Sequence, residues 1–360
     1  MKQLFSHGGT VHAVARHLGV EIKELLDFSA SINPLGPPNG VREAVLAAFD
    51  NVIHYPDPDA TELQQALARR HDLSVENIRV ANGSTELIHL LPRLFPGRRA
   101  LIVAPPFSEY AAALEKGGWE VQYFFLKPEE GFDVSLTKLD ARLAEGFDLL
   151  VLANPGNPTG ALILPETITE LLKICRVQRT IPVIDEAFID FCEEASAVVP
   201  LLMDGRGIIL RSLTKFFALP GLRLGYAIAA PETMQLLSAL IPPWSVGTLA
   251  QAAGVAALAD DDYRVQTCRL ITEEREFLFS SFSSLSGVQP FPSAANYLLI
   301  QLTSGLHAAT LQKKLIYKNI IIRDCADFPG LFKQFFRVAV RSRQENEALL
   351  AAISRVLGEC

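Results

Sequence analysis

The stretch that decides the fold reads Leu210-Arg-Ser-Leu-Thr-Lys-Phe-Phe-Ala-Leu-Pro-Gly-Leu-Arg-Leu-Gly-Tyr226, an apolar run followed by a turn that carries Lys215. Ser212 and Arg223 frame this lysine. A lysine on a structured turn can be partly desolvated and stay nucleophilic, while hydroxyl and guanidinium groups beside it supply donors for a phosphate. The stretch therefore indicates a lysine that forms a Schiff base with an aldehyde cofactor, although a single lysine beside a strand is more often an ordinary surface residue.

Short apolar runs alternate with longer amphipathic stretches along the first two thirds of the chain. This pattern is typical of βα units around a mostly parallel sheet, and we predict an α/β fold. Ligands of such sheets bind outside the carboxyl ends of the strands. The predicted strands are Ile78–Ala81, Ala100–Ala104, Leu149–Ala153, Ile181–Asp185, Gly207–Arg211 and Leu224–Ala229.

A chain of 360 residues is long for one hydrophobic core, so two domains are expected. We predict an N-terminal arm over 1–40 that packs with the small domain, a large domain over 41–243, and a small α+β domain over 244–360. The small domain is predicted to begin with one long amphipathic segment, from about Val246 to Leu285. Strands are expected after it at Tyr297–Gln301 and Phe336–Val340.

The composition argues against several classes of partner. The net charge is −7, whereas binding to nucleic acid requires a clustered basic face, so no nucleic-acid partner is expected. Neither a signal peptide nor an apolar run of membrane-spanning length is apparent, so no membrane partner is expected. The five scattered cysteines and the spacing of His7, His12 and His17 predict reduced thiols, a cytoplasmic location and no metal site.

Gly83, Ser84 and Thr85 follow a predicted strand and open a helical pattern. Backbone N–H groups at a helix N-terminus, together with two hydroxyls, form a cup for a phosphate group. Serine and threonine are also ordinary helix caps, and without other motifs capping is the default interpretation.

Three further positions fit a planar, charged cofactor ring. Asp185 ends a strand, where its carboxylate can keep a pyridine nitrogen protonated, although an Asp there can also cap the next helix. Asn157 lies in the rigid turn sequence Asn154-Pro-Gly-Asn-Pro-Thr-Gly160, which can direct its amide at a phenolic oxygen. Phe107 can stack on the ring, and a buried core aromatic is nearly as common at such a position.

These motifs, in this order, resemble those of fold-type I pyridoxal-phosphate enzymes of the aspartate aminotransferase superfamily. Within it, the chain is similar to the histidinol-phosphate aminotransferases and more so to the threonine-phosphate decarboxylases of cobalamin biosynthesis. The resemblance runs from Ser6-His-Gly-Gly9 to Arg337-Val-Ala-Val-Arg341. It implies a large domain with a mostly parallel sheet, a smaller α+β domain and pyridoxal 5'-phosphate as cofactor. The residues that it implies for the cofactor are Gly83, Ser84, Thr85, Phe107, Asn157, Asp185, Ser212, Lys215 and Arg223, with Lys215 and Asp185 catalytic.

The resemblance also implies a small phosphorylated amino acid as substrate and a homodimer with shared active sites. Tyr55 is expected to reach into the partner's site. Two arginines offer planar forks to the phosphate and carboxylate, and the residues alone do not assign one anion to each. The residues implied around the substrate are His7, Ser31, Tyr55, Asn157, Arg323 and Arg337.

Smaller features bear on the type of reaction. Phe188 stands where aminotransferases of this group commonly have a tyrosine, and His7-Gly8-Gly9 and Arg341 resemble the decarboxylase pattern, although an exposed arginine is an equally simple explanation for the last. The resemblance implies decarboxylation of L-threonine O-3-phosphate to (R)-1-aminopropan-2-yl phosphate. The alternatives are a histidinol-phosphate-type aminotransferase, a preference for L-serine O-phosphate, and a non-enzymatic nucleotide-binding module or regulator.

Overall fold

The structure is a computed structural model and describes residues 8–358, apart from the side chain of Glu193. Within that range the strands form three sheets of seven, four and two strands. The strands are β1 (Leu26–Asp27), β2 (Ile78–Asn82), β3 (Arg99–Ala104), β4 (Glu120–Phe125), β5 (Leu149–Ala153), β6 (Ile181–Asp185), β7 (Ile208–Ser212), β8 (Leu224–Ile228), β9 (Val288–Pro290), β10 (Tyr297–Leu302), β11 (Ile320–Ile321), β12 (Arg323–Asp324) and β13 (Phe335–Ala339).

Helices connect these strands and cover the sheets. They are α1 (Val11–Leu18), α2 (Asn39–Ala48), α3 (Thr61–His71), α4 (Gly83–Leu94), α5 (Ser108–Lys116), α6 (Leu136–Leu143), α7 (Pro165–Val177), α8 (Val198–Asp204), α9 (Leu213–Phe216), α10 (Pro231–Ser238), α11 (Thr248–Leu258), α12 (Asp261–Ser283), α13 (Ala308–Ile316) and α14 (Arg343–Gly358). Short 3-10 turns lie at Ile22–Glu24, Phe49–Ile53, Val75–Asn77, Pro128–Glu130, Ile189–Phe191, Glu193–Ala195 and Pro220–Leu222.

The seven-stranded sheet has the order β2-β8-β7-β6-β5-β3-β4, and only β8 runs antiparallel to its neighbours. Each predicted strand of this sheet is confirmed to within one or two residues at its ends, and so is the mostly parallel α/β architecture. The sequence prediction missed β4, an edge strand whose residues are half-buried or exposed and lack the apolar signal of a central strand.

Both faces of this sheet are buried. Along β3, Leu101 and Val103 pack into one hydrophobic core, while Ala100 and Ile102 pack into another. Because successive side chains of a strand point to opposite faces, helices must cover both sides, which explains why the central strands are apolar throughout.

The four-stranded antiparallel sheet, β12-β13-β10-β9, comes from the C-terminal part of the chain. The N-terminal segment joins this part, because β1 pairs in parallel with β11 and the Phe28 amide donates to the Ile321 carbonyl at 2.8 Å. The contact supports an arm packed on a small domain. The boundaries 1–40, 41–243 and 244–360 stay a prediction.

The single segment predicted from Val246 to Leu285 was wrong, because the chain forms two helices there, α11 and α12. The break has a local cause: the Asp260 carboxylate accepts a hydrogen bond from the Tyr263 amide at 2.8 Å and caps the start of α12. α11 itself packs towards the seven-stranded sheet, where a Cβ at Gly254 would lie 2.9 Å from Leu63 and 3.3 Å from Leu224.

Candidate active site

A cavity of about 710 Å³ opens at the carboxyl ends of β5, β6 and β7. Parallel strands end at the same edge of the sheet, which is why groups far apart in sequence meet there. His7 lies outside the described residues, and Gly83 and Tyr55 do not line the cavity. The predicted residues that do line it are Ser31, Ser84, Thr85, Phe107, Asn157, Asp185, Ser212, Lys215, Arg223, Arg323 and Arg337.

Lys215 lies on the short helix α9, directly after β7. Its Nζ donates to Thr214 Oγ1 at 3.0 Å, and that hydroxyl lies 2.7 Å from Ser212 Oγ. Burial, together with the charges of Arg223 and Arg337, lowers the pKa of Lys215 to about 8, and the charge of Asp185 opposes this shift. A sizeable fraction of the amine is therefore unprotonated near neutral pH, as a nucleophile requires.

The N-terminal arm fixes the backbone around this lysine. Asn33 accounts for two of the contacts: its amide donates to the Lys215 carbonyl at 3.1 Å, and its side-chain Nδ2 donates to the Phe216 carbonyl at 2.8 Å. Because Asn33 is buried, these bonds are shielded from competing water. The sequence analysis placed Asn33 in the N-terminal arm but did not predict that it bonds the backbone around Lys215.

Asp185 ends β6 with its carboxylate buried. Oδ1 accepts from the Ala187 amide at 2.9 Å, and Oδ2 accepts from the Tyr110 hydroxyl at 2.5 Å. Burial raises the pKa of Asp185, while the bonds from Tyr110 and Ala187 and the charge of Lys215 oppose that rise. The sequence analysis missed Tyr110, which lies in the first turn of α5 with its ring edge-on to that of Phe107, the residue before the helix, at a centroid distance of 5.8 Å.

The predicted phosphate cup falls on the first turn of α4. The residue that precedes the helix is Asn82, so Ser84 and Thr85 lie within its first turn rather than at the cap. Gly83 has a φ of +75°, and a Cβ there would lie 2.6 Å from the Arg223 guanidinium. A Cβ at Gly225 would lie 2.3 Å from the Ser84 amide. Both glycines let β8 and Arg223 approach the helix end closely, which suits the binding of an anion.

The loop that carries Asn157 is held from both sides. The Asn154 side chain donates to the Ile163 carbonyl at 2.9 Å and accepts from its amide at 2.8 Å. Asn157 Oδ1 accepts a hydrogen bond from Arg337 Nη1. Phe188 packs edge-to-face on Tyr297, with ring centroids 4.9 Å apart, so the position usually held by a tyrosine lines the cavity without a hydroxyl.

Arg323 and Arg337 are both buried at the wall of the cavity. Arg337 Nη2 donates to the Ser29 carbonyl at 3.0 Å. Within residues 8–358 its Nε has no hydrogen-bond partner, and neither has the hydroxyl of Ser31. Buried polar atoms without partners are costly, so this wall fits a polar ligand.

Two other predicted features lie away from the cavity. Arg341 pairs with Glu345 at 2.6 Å, is 23% exposed and does not line the cavity, so it is neither an exposed arginine nor part of the cavity wall. The Tyr55 side chain is 79% exposed and stacks on Trp244, with ring centroids 4.6 Å apart.

In the described part of the chain, no group of three or more His, Cys, Asp or Glu side chains could hold a metal ion, and no helix is long and apolar enough to cross a membrane.

Comparison with known proteins gives consistent matches. The family model for aminotransferases of class I and II matches residues 23–353. A threonine-phosphate decarboxylase of Salmonella typhimurium is 39% identical over 354 residues, which cover 98% of this chain and 96% of that protein. The adenosylcobalamin biosynthesis bifunctional protein CobDQ of Leptospira interrogans is 34% identical over 355 residues, covering 97% of this chain and 41% of that protein.

Solved structures share the whole architecture. The histidinol-phosphate aminotransferase of Clostridium acetobutylicum superposes with a TM-score of 0.87 at 29% identity, covering 93% of this chain and 100% of that one. These matches confirm the resemblance and the fold class predicted from the motifs. Decarboxylases and aminotransferases both occur among the similar proteins, so the fold alone does not select the reaction.

Proposed function

The chain belongs to the class I and II aminotransferase family, and from this premise we propose that it decarboxylates L-threonine O-3-phosphate to (R)-1-aminopropan-2-yl phosphate and carbon dioxide. The observation that carries the proposal is that Lys215 and Asp185 line the same cavity as two buried arginines, Arg323 and Arg337. The 39% identity to a threonine-phosphate decarboxylase supports this reaction, and the similarity to CobDQ supports a place in cobalamin biosynthesis.

The cofactor is pyridoxal 5'-phosphate. When bound, it supplies an aldehyde that reacts with amines and a pyridine ring that accepts the electrons of the broken bond. Asp185 would hold the ring nitrogen, Asn157 would contact the ring oxygen and Phe107 would stack on the ring. The phosphate would be held by the first turn of α4 and by the side chains of Ser84, Thr85, Ser212 and Arg223.

Lys215 Nζ would supply the proton that the α-carbon of the substrate receives. Its lowered pKa, about 8, allows the amine to exist in both protonation states near neutral pH. After carbon dioxide leaves, Nζ would deliver a proton to the α-carbon of the substrate, which completes a decarboxylation without any acceptor molecule.

Arg323 and Arg337 would orient the substrate and so would decide which group leaves its α-carbon. If they anchor the phosphate, the carboxylate would be left unbound and could leave as carbon dioxide. If they instead hold the carboxylate, the α-hydrogen would be lost and transamination would follow.

A homodimer would complete the site. Tyr55 lies outside the cavity of its own chain, in a region where Phe49 and Ile53 are also exposed, with Tyr55 79% and Ile53 80% accessible. Exposed apolar side chains of this size are typical of interfaces, so a second copy that covers them would receive Tyr55. A cytoplasmic location is also proposed, supported by the scattered cysteines.

Two assays separate the proposed reaction from its rivals. The holoenzyme should release carbon dioxide from L-threonine O-3-phosphate without a keto acid, and histidinol phosphate with 2-oxoglutarate should yield little glutamate. The opposite result would make the protein an aminotransferase. A visible absorbance band that borohydride abolishes would separate either enzyme from a binding module, and L-serine O-phosphate tested in parallel would show which phosphoamino acid is preferred.

A further inference from the structure

Arg323, one of the two buried arginines, already binds a carboxylate of the same chain. Its Nη2 lies 2.9 Å from Asp327 Oδ1 and 2.7 Å from Asp327 Oδ2. Both residues line the cavity. The side chain of Arg323 is 7% exposed and that of Asp327 is 49% exposed, so the pair joins a fixed guanidinium to a carboxylate that can turn into solvent.

Arg337 differs in this respect. It donates to the Asn157 amide oxygen and the Ser29 carbonyl, both of them uncharged acceptors. Within residues 8–358 no carboxylate lies within ion-pairing distance of it. No bonded partner in the described part of the chain therefore neutralises the charge of Arg337, whereas Asp327 pairs with the charge of Arg323.

We propose that Asp327 sets the affinity of the site by competing with the substrate's oxyanion for Arg323. This inference rests on the proposed function, in which the two arginines bind the phosphate and carboxylate of the substrate. An anion can use the Arg323 fork only in the fraction of molecules where Asp327 has turned away. The apparent dissociation constant for the anion therefore equals the intrinsic constant divided by the fraction of molecules in which Asp327 has turned away.

The geometry gives this competition a modest size. An ion pair with one half-exposed partner stabilises the structure only slightly, so Asp327 is bonded to Arg323 in many molecules but not in all of them. This is enough to weaken the binding of a free anion. A substrate that is also held elsewhere in the site can still displace the Asp327 carboxylate. Because the product keeps its phosphate, the same competition favours product release. It also limits the occupation of Arg323 by free phosphate.

The test uses the pyridoxal-phosphate-loaded enzyme and inorganic phosphate as the probe, since the cofactor then fills its own phosphate cup. Asp327→Asn keeps the shape of the side chain and removes the charge. We expect this variant to bind inorganic phosphate on the order of fivefold more tightly in calorimetric titrations, with a similar fall in KM for L-threonine O-3-phosphate. Asp327→Ala should change both constants in the same direction.

The matched control is Asp324→Asn, which removes one negative charge three residues away. Arg323 Nη1 bonds the backbone carbonyl of Asp324 at 2.8 Å and not its carboxylate, so this variant should change phosphate affinity by less than about twofold. In an Arg323→Ala background, Asp327→Asn should no longer have any effect, because the group for which Asp327 competes is gone.

Weaker binding of phosphate by Asp327→Asn would overturn the proposal, since it would make Asp327 a residue that positions Arg323. Unchanged binding would overturn it as well. The titration does not depend on turnover. If the wild-type enzyme fails to decarboxylate L-threonine O-3-phosphate while Asp327→Asn still tightens phosphate binding, the proposed function fails and the competition stands.

Discussion

Replacing Tyr110 with phenylalanine removes the hydroxyl that donates to Asp185 Oδ2 at 2.5 Å while keeping the ring in place. Both side chains are buried, so no water readily replaces the lost donor. A hydrogen bond to a charged group contributes about 1.5–3 kcal/mol, which corresponds to roughly a 10- to 150-fold fall in kcat if the whole bond serves the ionised carboxylate. The pKa of Asp185 should rise further, because a bond that opposes its elevation is lost.

The expected rise in the pKa of Asp185 determines the direction of the pH effect. The active carboxylate exists above the pKa of Asp185 and is lost as the pH falls through it, so Tyr110→Phe should move the acid limb of kcat to higher pH. The assay is carbon dioxide release from L-threonine O-3-phosphate between about pH 5 and pH 9, with cofactor content measured by absorbance. Tyr123→Phe is the control, because Tyr123 lies on β4 and does not line the cavity. Full cofactor content with an unchanged rate and an unchanged acid limb would refute the reasoning.

Three other outcomes are expected. Lys215→Ala should lose the borohydride-sensitive absorbance band and nearly all turnover, and normal turnover in this variant would contradict its assignment as the catalytic lysine. In the apoenzyme, where burial lowers the pKa of Lys215 to about 8, the rate of cofactor capture should rise from pH 7 to pH 9 with its midpoint near 8; a midpoint above about 10 would show an unperturbed amine. Mixing inactive Lys215→Ala chains with inactive Tyr55→Ala chains should restore part of the activity, because some heterodimers carry one intact site. No recovery in heterodimers shown to have formed would mean that each site is built from one chain.

Local patterns were sufficient for the sheet and for much of the site. The strands β3, β5, β6 and β7 are buried on both faces, so nearly all of their residues are apolar and each strand is recognisable as a continuous apolar run in the sequence. Polar residues end or follow β5, β6 and β7, and because parallel strands end at one edge, the sequence could predict that Lys215, Asp185 and Asn157 meet. β4 was missed because an edge strand with half-exposed residues has no such pattern.

Side-chain partners across long separations could not be predicted in the same way. Tyr110 bonds Asp185 across 75 positions, and Arg337 bonds Asn157 across 180 positions. These contacts depend on how β13 and α5 are placed against the large sheet, and packing of that kind leaves no periodic trace in the local sequence.

The sequence by itself determined which chemical groups this protein possesses: a lysine after a buried strand, a carboxylate at a strand end, a hydroxyl-rich helix start and two C-terminal arginines. Only the tertiary structure decided their states. Burial lowers the pKa of Lys215 and raises that of Asp185. Among residues 8–358 the fold places the Asp327 carboxylate against Arg323 and no carboxylate against Arg337. The physical reason is that a group's identity is covalent, whereas its charge and its availability depend on desolvation and on neighbours that only folding brings within hydrogen-bonding distance.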